Sequence, residues 1–216
     1  MIEFAIKSNY WLEITLNRPE KANALNSDMF IKLTESISDN YNGIIFRANG
    51  KHFCAGADLV EMQSLKGKSR AEIEQYTGII QGFYDALSKK DCPIISRTVG
   101  CTAGAGIGIC ACSDFVFAEE QATFSCPEVK SGIVPAIIAP FLIKKIGYGS
   151  AKAMFISGLK YDLNFAEAVG LVDYGQFEVI YEAISSIDPS NIKQVKSMLA
   201  NKNFGARGLA QVLVNS

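Results

Sequence analysis

Two stretches of small residues are the parts of this sequence best suited to chemistry. They are HFCAGADL, residues 52–59, and GCTAGAGIGICACSD, residues 100–114. Glycine and alanine let another molecule approach the main chain closely. Where such a loop opens a helix, its amides lack partners and the helix dipole favours negative charge. Two facing loops could therefore hold one oxygen that becomes negative, such as a thioester carbonyl turning into an enolate, and each such donor contributes about 10² to 10³ in rate.

The glycine-rich stretch also permits two other interpretations. It could simply let a helix pack tightly on a strand, or it could be the turn of a dinucleotide-binding unit. The second fits poorly, because Gly104, Gly106 and Gly108 alternate instead of following G-x-G-x-x-G. Glu119 also follows too closely to be the ribose-binding acid, which is expected about 20 residues on.

The cysteines and the single histidine do not predict a metal site. Six cysteines stand at positions 54, 92, 101, 110, 112 and 126, without the paired spacing of a structural zinc site. Most have apolar or small neighbours, where a free thiol behaves as a small hydrophobe, so buried thiols are favoured. A nucleophilic cysteine would need His52 as its base, and His52 could equally be an exposed loop residue.

Composition and charge restrict the class of protein. The 216 residues, 49% of them hydrophobic, can bury the core of one domain. The formal charge of −1 argues against binding nucleic acid through a basic surface. The best apolar stretch, residues 132–143, is too short to span a bilayer, and the N-terminus lacks the pattern of a secretory signal. We therefore predict a cytoplasmic enzyme that binds neither nucleic acid nor membranes.

Strands and helices alternate around the two small-residue stretches. Two short strands flank a Ser8–Asn9 turn, a helix begins at Ser27, and GIIF, residues 43–46, is typical of a strand buried on both faces. A short helix over residues 57–65 follows the first stretch, and a longer one spans about residues 70–88, with an apolar stripe.

The second stretch lies between two further predicted strands. PIISRTV, residues 93–99, precedes it, and DFVFA, residues 114–118, follows it. From about Ile137 the chain is predicted to be mostly helical to its end. This pattern predicts an α/β fold in one domain.

Five motifs together resemble those of one family. ITLNRPEKANALN, HFCAGADL, VGCTAGAGIGICACSDFVFA, ATFSCPEVKSGIVPA and AVGLVD occur in the order and spacing of the crotonase superfamily, the enoyl-CoA hydratases and isomerases. The resemblance covers about residues 5–175. It implies a crotonase spiral of ββα units over residues 1–175 and a C-terminal helical region, residues 176–216, that is shorter than usual and holds about three helices. It also implies a homotrimer or hexamer.

The resemblance assigns roles to individual residues. It implies that the amides of Ala57 and Ala105 hold the thioester oxygen and that Glu128, in CPEV, is the acid–base residue. The first of the two glutamates of the family's hydratases corresponds to Gly108, which can carry no proton. Glu128 as a structural acid at a helix start is the alternative.

Further residues are implied to contact the substrate or to support the site. Lys21, Ala22 and Leu25 correspond to the loop at the adenine end of coenzyme A. The remaining substrate-side positions are Ala55, Gly56, Asp58, Leu59 and Gly104, of which Asp58 looks structural. Tyr76, Lys130 and Cys126 could assist, although a structural role is the better interpretation of each.

The implied activity is hydration or dehydration of an acyl thioester. Coenzyme A or the phosphopantetheine of a carrier protein would be part of the substrate, and no separate cofactor is expected. Glycine at position 108 together with VPAIIAPFLIKKIG is similar to the subgroup of methylglutaconyl-CoA hydratases and polyketide β-branching dehydratases. This similarity favours hydration or dehydration over isomerisation, and it implies a 3-hydroxy-3-methylglutaryl-like group as one candidate for the acyl group. A Δ3,Δ2-enoyl isomerase using one glutamate is the first alternative, and a decarboxylase is a weaker one. A non-catalytic thioester-binding homologue is the alternative of another class.

Overall fold

The computed structural model describes residues 1–202. Its strands are Ile2–Lys7 (β1), Trp11–Leu16 (β2), Gly43–Ala48 (β3), Ile94–Thr98 (β4), Cys101–Ala103 (β5), Phe115–Ala118 (β6) and Thr123–Ser125 (β7). Its α-helices are Ser27–Ser36 (α1), Leu59–Ser64 (α2), Arg70–Ser88 (α3), Ala105–Cys112 (α4), Ala139–Ser157 (α5), Leu163–Ala168 (α6), Phe177–Ser185 (α7) and Pro189–Ala200 (α8). Short 3-10 turns cover Ser8–Tyr10, Pro19–Lys21 and Pro127–Ser131.

The strands form one large sheet and one small sheet, and from β4 onward the chain adds strands to the two sheets alternately. The large sheet has the order β1-β2-β3-β4-β6, with β1 antiparallel to β2 and the other neighbours parallel. The small sheet pairs β5 with β7 in parallel. The chain enters the large sheet at β4 and the small sheet at β5, then forms α4; it repeats the two steps at β6 and β7. This is the predicted α/β spiral of ββα units.

Single-residue bridges extend the small sheet to the earlier turns of the spiral. Cys54 bridges Thr102, and Leu25 bridges Ala57, both in parallel. Each bridge joins one turn of the spiral to the next, so residues distant in sequence become neighbours. The strands β5 and β7 were not predicted, because three residues carry too little periodicity to be recognised.

Strand β3 is buried on both faces of the large sheet, as predicted for GIIF. Ile44 and Phe46 face the main core, whereas Ile45 faces a second cluster with Trp11. Apolar side chains of α7 cover this second cluster, and the Tyr181 ring contacts the Trp11 ring edge-on at 5.0 Å between centroids. The first described helix of the C-terminal region therefore covers the second face of the sheet at its central strands.

The predicted helices and strands agree closely with the structure. The helix over residues 70–88 has the predicted bounds, with a capping box at Ser69, although Ile73 of its stripe is 36% exposed. The helix predicted from residue 57 begins at Leu59 because Ala57 pairs with Leu25 and Asp58 is the N-cap. The mostly helical part of the chain begins two residues later than predicted, with α5 at Ala139.

The C-terminal region is tied to the core by two lysines of α8. Lys196 binds the Asp114 carboxylate at 2.7 Å and the Cys92 carbonyl oxygen at 2.7 Å, and Lys193 binds Asp91 at 2.6 Å. Two of the predicted helices of the region, α7 and α8, are present among the described residues, and the prediction of a third falls on residues outside them. The division at residue 175 stays a prediction.

The cysteines are free, and four of them, Cys54, Cys92, Cys110 and Cys126, are buried, as predicted. Within residues 1–202, no group of three or more His, Cys, Asp or Glu side chains could hold a metal ion. None of the helices described combines the length and the apolar character needed to cross a membrane.

Candidate active site

The two small-residue stretches lie against each other. The Ala103 amide donates to the Cys54 carbonyl oxygen at 2.8 Å, across the bridge between Cys54 and Thr102. At the next residue along, a Cβ placed on Gly104 would lie 3.5 Å from the Cα of Gly56. Gly56 has φ +112° and Gly104 has φ +47°, and both angles favour glycine. The bare backbone thus serves the close approach of the two loops.

The Ala57 amide has no hydrogen-bond acceptor among the described residues. Its neighbours use the pairing with Leu25: the Leu25 amide donates to the Gly56 carbonyl, and the Asp58 amide donates to the Leu25 carbonyl, each at 2.8 Å. In this parallel pairing the amide of the bridged residue itself points away from the partner strand. Leu25 therefore leaves the Ala57 N–H available.

The Ala105 amide is available for a different reason. Ala105 is the first residue of α4, and the first amides of a helix have no acceptor within it. The N-cap is Gly104, with φ +47° and ψ −109°, and glycine has no side chain that could accept from the first amides of the helix. In the part of the chain that the structure describes, the Ala105 N–H donates to no other group.

Glu128 places a carboxyl group beside these loops. It lies in the 3-10 turn Pro127–Ser131 that follows β7, and a Cβ on Gly104 would be 2.9 Å from its Oε1. Its Oε2 is buried and has no hydrogen-bond partner among residues 1–202. Burial raises the pKa of this carboxyl above its ordinary value. An unsatisfied buried oxygen argues against a purely structural capping role, since capping would have supplied a donor.

Ala57, Ala105 and Glu128 line one cavity of about 140 Å³. Its other walls are largely apolar and come from α2, α3 and the segment 133–138, with Met62, Ile80 and Ile138 among them. Of the described residues that line it, Glu128 is the one with a carboxyl group. The arrangement can therefore hold a carbonyl oxygen at two amides and move a proton at one carboxyl.

Tyr84, which sequence reasoning missed, occupies the space above Gly108. A Cβ on Gly108 would lie 2.6 Å from the Tyr84 ring and 2.8 Å from the Cγ2 of Ile138. The Tyr84 hydroxyl is buried and donates to the Ala105 carbonyl oxygen at 2.6 Å. The apolar stripe of the helix over residues 70–88 did not include Tyr84, and nothing in the sequence pairs it with α4.

The three alternating glycines at the start of α4, Gly104, Gly106 and Gly108, are required for different structural reasons. A Cβ on Gly106 would lie 2.8 Å from the Cβ of Cys54, so Gly106 and Gly108 permit close packing of α4 on its neighbours. Gly104 instead permits the turn into α4. The close-packing interpretation therefore holds for two of the three glycines, and a dinucleotide-binding turn is not needed to explain any of them.

The loop with Lys21, Ala22 and Leu25 borders the first stretch. Lys21 is exposed, and the Ala22 carbonyl accepts from the Ala55 amide at 2.9 Å. The Leu25 side chain is fully buried, so Leu25 holds this loop against Ala57 and offers no side chain to a ligand. Asn23, also missed, is buried and its side-chain amide donates to the Asn49 and His52 carbonyl oxygens.

Asp58 has a structural role next to the first stretch, the role that its sequence interpretation favoured, because it binds Arg18 and caps α2. Its carboxylate binds Arg18 at 2.6 Å and accepts from the Val60 amide at 2.8 Å as the N-cap of α2. The Arg18 guanidinium beside it lowers the pKa of Asp58. Leu59, which follows, is 60% exposed and lines the cavity, as do Ala55, Gly56 and Gly104.

The assisting residues considered from the sequence do not line the cavity. The Tyr76 hydroxyl is buried without a described partner, Cys126 is fully buried, and Lys130 is exposed with its chain against Gly158. His52, for which an exposed loop position was one of two interpretations, is half-buried, and its Nδ1 accepts from the Cys101 amide at 3.1 Å.

Comparison with known proteins identifies the family. The Enoyl-CoA hydratase/isomerase family matches residues 7–199. A Bacillus subtilis protein named for that family, YngF, is 31% identical over 90% of this chain and 80% of its own length. A peroxisomal Δ(3,5)-Δ(2,4)-dienoyl-CoA isomerase of Arabidopsis thaliana is 27% identical over 74% of this chain and 63% of its own.

Solved structures agree with this assignment. A crystal structure from Legionella pneumophila, described as an enoyl-CoA hydratase/isomerase of the crotonase type, superposes with a TM-score of 0.88 at 28% identity. The superposition covers 99% of this chain and 88% of that one. The chain therefore belongs to the enoyl-CoA hydratase/isomerase family, the crotonase superfamily.

Proposed function

We propose that this protein is a lyase of the hydratase type that adds water to, or removes it from, an acyl thioester. The observation that carries the proposal is the buried, unpartnered Oε2 of Glu128 on the cavity to which the Ala57 and Ala105 amides belong. Two free amides supply an oxyanion hole. One carboxyl with a raised pKa supplies a general base that becomes a general acid.

In the proposed reaction, the thioester carbonyl oxygen accepts hydrogen bonds from both amides. The Glu128 carboxylate takes a proton from a water molecule as the water oxygen bonds to C3 of the enoyl group. The C2–C3 π electrons move toward the carbonyl, whose oxygen becomes the enolate oxygen held by the amides. Protonated Glu128 then returns its proton to C2, which restores the carbonyl and the carboxylate. Dehydration is the reverse sequence.

The size and the apolar lining of the cavity favour binding of a small, mainly apolar acyl group. Its described lining includes isoleucine, valine and proline from the segment 133–138 and no lysine, arginine or histidine. A 3-hydroxy-3-methylglutaryl-like group, the candidate that the subgroup similarity implies, has a second carboxylate that would lack a cation in this cavity, and burying an unpaired charge is costly. We therefore rank a short apolar enoyl thioester above it.

The thioester carrier and the assembly belong to the same proposal. The exposed Lys21 and the Ala22 turn support binding of coenzyme A or a carrier-protein phosphopantetheine near residues 19–25. Tyr148 and Ile156, each 67% exposed on α5, support a homotrimer or hexamer, which light scattering would test. The cytoplasmic location stays a prediction from the sequence.

A Δ3,Δ2-enoyl isomerase is the second candidate, and the single carboxyl favours it. Moving a proton between C4 and C2 needs one base, whereas the two-glutamate hydratases place a carboxylate on either side of a water. Gly108 cannot supply the second one. The Arabidopsis relative is named for an isomerase of a related kind.

Product analysis separates these candidates. The protein is incubated with a 2-enoyl-CoA and, separately, with a 3-enoyl-CoA in ¹⁸O-labelled water, and the products are examined by mass spectrometry. Incorporation of ¹⁸O from the water into the product of the 2-enoyl-CoA supports the hydratase. A shifted double bond without incorporation supports the isomerase and refutes the hydratase.

Glu128→Gln tests the common part of both mechanisms. Loss of the acid–base group should lower kcat by about 10² to 10⁴, with thioester binding retained. Glu120→Gln is the matched control, because Glu120 is exposed and lies outside the cavity lining. Unchanged turnover in Glu128→Gln would refute its role. Binding by the wild type without turnover of enoyl, hydroxyacyl or malonyl-type thioesters would identify a non-catalytic homologue.

A further inference from the structure

We infer that Tyr84 is a positioning residue for the oxyanion hole, fixing the first turn of α4 and filling the space that a side chain at position 108 would need. The inference rests on the proposed function, because Tyr84 positions Ala105 through its carbonyl oxygen, and the N–H of the same residue is one of the two proposed oxyanion donors. None of the sequence motifs that identify the family contains Tyr84. Its contacts assign this role.

The Tyr84 ring is held rigidly. It is fully buried in α3 and packs against three other rings, with centroid distances of 5.1 Å to Phe83, 6.2 Å to Phe30 and 5.8 Å to Phe141. A side chain enclosed in this way cannot change rotamer without displacing its neighbours. The position of its hydroxyl is therefore fixed by the core.

The hydroxyl anchors the residue that supplies one amide of the proposed oxyanion hole. Tyr84 Oη donates to the Ala105 carbonyl oxygen at 2.6 Å. The first hydrogen bond of the helix runs from the Gly108 amide to the Gly104 carbonyl oxygen at 3.1 Å, so the phenol restrains the next carbonyl along from outside the helix. Burial raises the pKa of Tyr84 well above its ordinary value, so the hydroxyl remains a donor at neutral pH.

The ring also excludes any larger residue from position 108. A single methyl group on Gly108 would lie 2.6 Å from the ring, well inside contact distance. The ring is rigid, so it cannot move away cheaply, unlike the end of a flexible side chain. Tyr84 and Gly108 therefore form one unit: the same ring that anchors Ala105 occupies the place of a second acid–base side chain.

Tyr84→Phe tests the anchoring role, since it removes the hydroxyl and keeps the ring. We expect kcat to fall about 10-fold, less than the 10² to 10³ for losing an oxyanion donor outright. KM should change less than about twofold. The infrared carbonyl stretch of a bound, ¹³C-labelled thioester should shift back toward its value in water, because the amide is aimed less well. Tyr174→Phe is the matched control, since Tyr174 is 73% exposed and outside the cavity lining.

Gly108→Ala is the second variant and tests the steric part. The added methyl should push the ring from the Ala105 carbonyl, lowering kcat and the melting temperature together and giving the same infrared shift. An unchanged carbonyl stretch and kcat in Tyr84→Phe would overturn the anchoring role. An unchanged melting temperature and kcat in Gly108→Ala would overturn the steric one.

Failure of the proposed function gives a different result. If Glu128→Gln turns over substrate as fast as the wild type, the proposed mechanism fails, whatever Tyr84→Phe does. If Glu128→Gln is inactive while Tyr84→Phe matches the wild type in kcat and carbonyl stretch, the proposed function stands and the inference about Tyr84 fails.

Discussion

Replacing Gly104 by alanine tests whether the close contact between Gly104 and Glu128 positions the Glu128 carboxyl group. The backbone at Gly104 has φ +47° and ψ −109°, a conformation that costs an L-residue about 1 to 3 kcal/mol. In a chain of this length that cost lowers the melting temperature by roughly 2 to 12 °C. The new Cβ would also lie 2.9 Å from Glu128 Oε1, whereas ordinary contacts begin at 3.4 Å.

The carboxyl group must therefore retreat by about half an ångström. The energetic cost of moving a flexible side-chain end is small, but the reacting oxygen leaves its place. Since a misplacement of about 1 Å can cost about 10² in rate, we expect kcat to fall on the order of 10-fold or more. Steady-state kinetics with an enoyl-CoA and thermal unfolding by circular dichroism measure the two effects separately.

Two control variants separate backbone strain from the contact. Gly147→Ala shares a positive φ, +77°, but its Cβ would meet nothing within 4 Å, so it should lose stability and keep its activity. Gly78→Ala, in α3, has open space and ordinary helical geometry and should gain up to about 1 kcal/mol. If Gly104→Ala is destabilised like Gly147→Ala but keeps its kcat within about twofold, the reasoning that places Glu128 against Gly104 is wrong.

Three further changes have outcomes fixed by the same contacts. Gly108→Glu should not restore a second acid: the Tyr84 ring blocks it, and overpacking should cost about 1 to 3 kcal/mol in urea unfolding, whereas Gly82→Glu at an open, exposed helical position should not. Asp58→Asn should lose about 1 to 3 kcal/mol at neutral pH by leaving Arg18 unpaired. Because the pKa of Asp58 is lowered from 3.8, its stabilisation is present above pH 3.8 and is lost as pH falls through the lower folded pKa, so urea unfolding of the two proteins should converge in acid. Burial raises the pKa of Glu128 from 4.5, so ionisation of this carboxyl lowers the stability of the fold as pH rises from 4.5 through the raised pKa. Glu128→Gln should therefore be more stable than the wild type above that range. Equal stability of the two proteins at neutral pH would contradict the burial argument.

The sequence by itself determined the fold class and the parts of the site that lie within continuous motifs. Apolar runs such as GIIF and the stripe of α3 are local patterns, and each element formed where its pattern predicted it. The small residues of the two stretches marked where backbone had to be approached closely. Membership of the family followed from five motifs in register, and the match to residues 7–199 confirms it.

The tertiary structure alone decided how these parts combine. Leu25 leaves the Ala57 amide free only because the spiral brings residues 25 and 57 into one bridge, and no local pattern encodes that pairing. Tyr84 reaches Ala105 and Gly108 because α3 packs on α4, so a residue outside the predicted apolar stripe became part of the cavity lining. Sequence periodicity records which face of an element is buried; it does not record which distant element fills the space opposite, because that depends on packing of the whole chain.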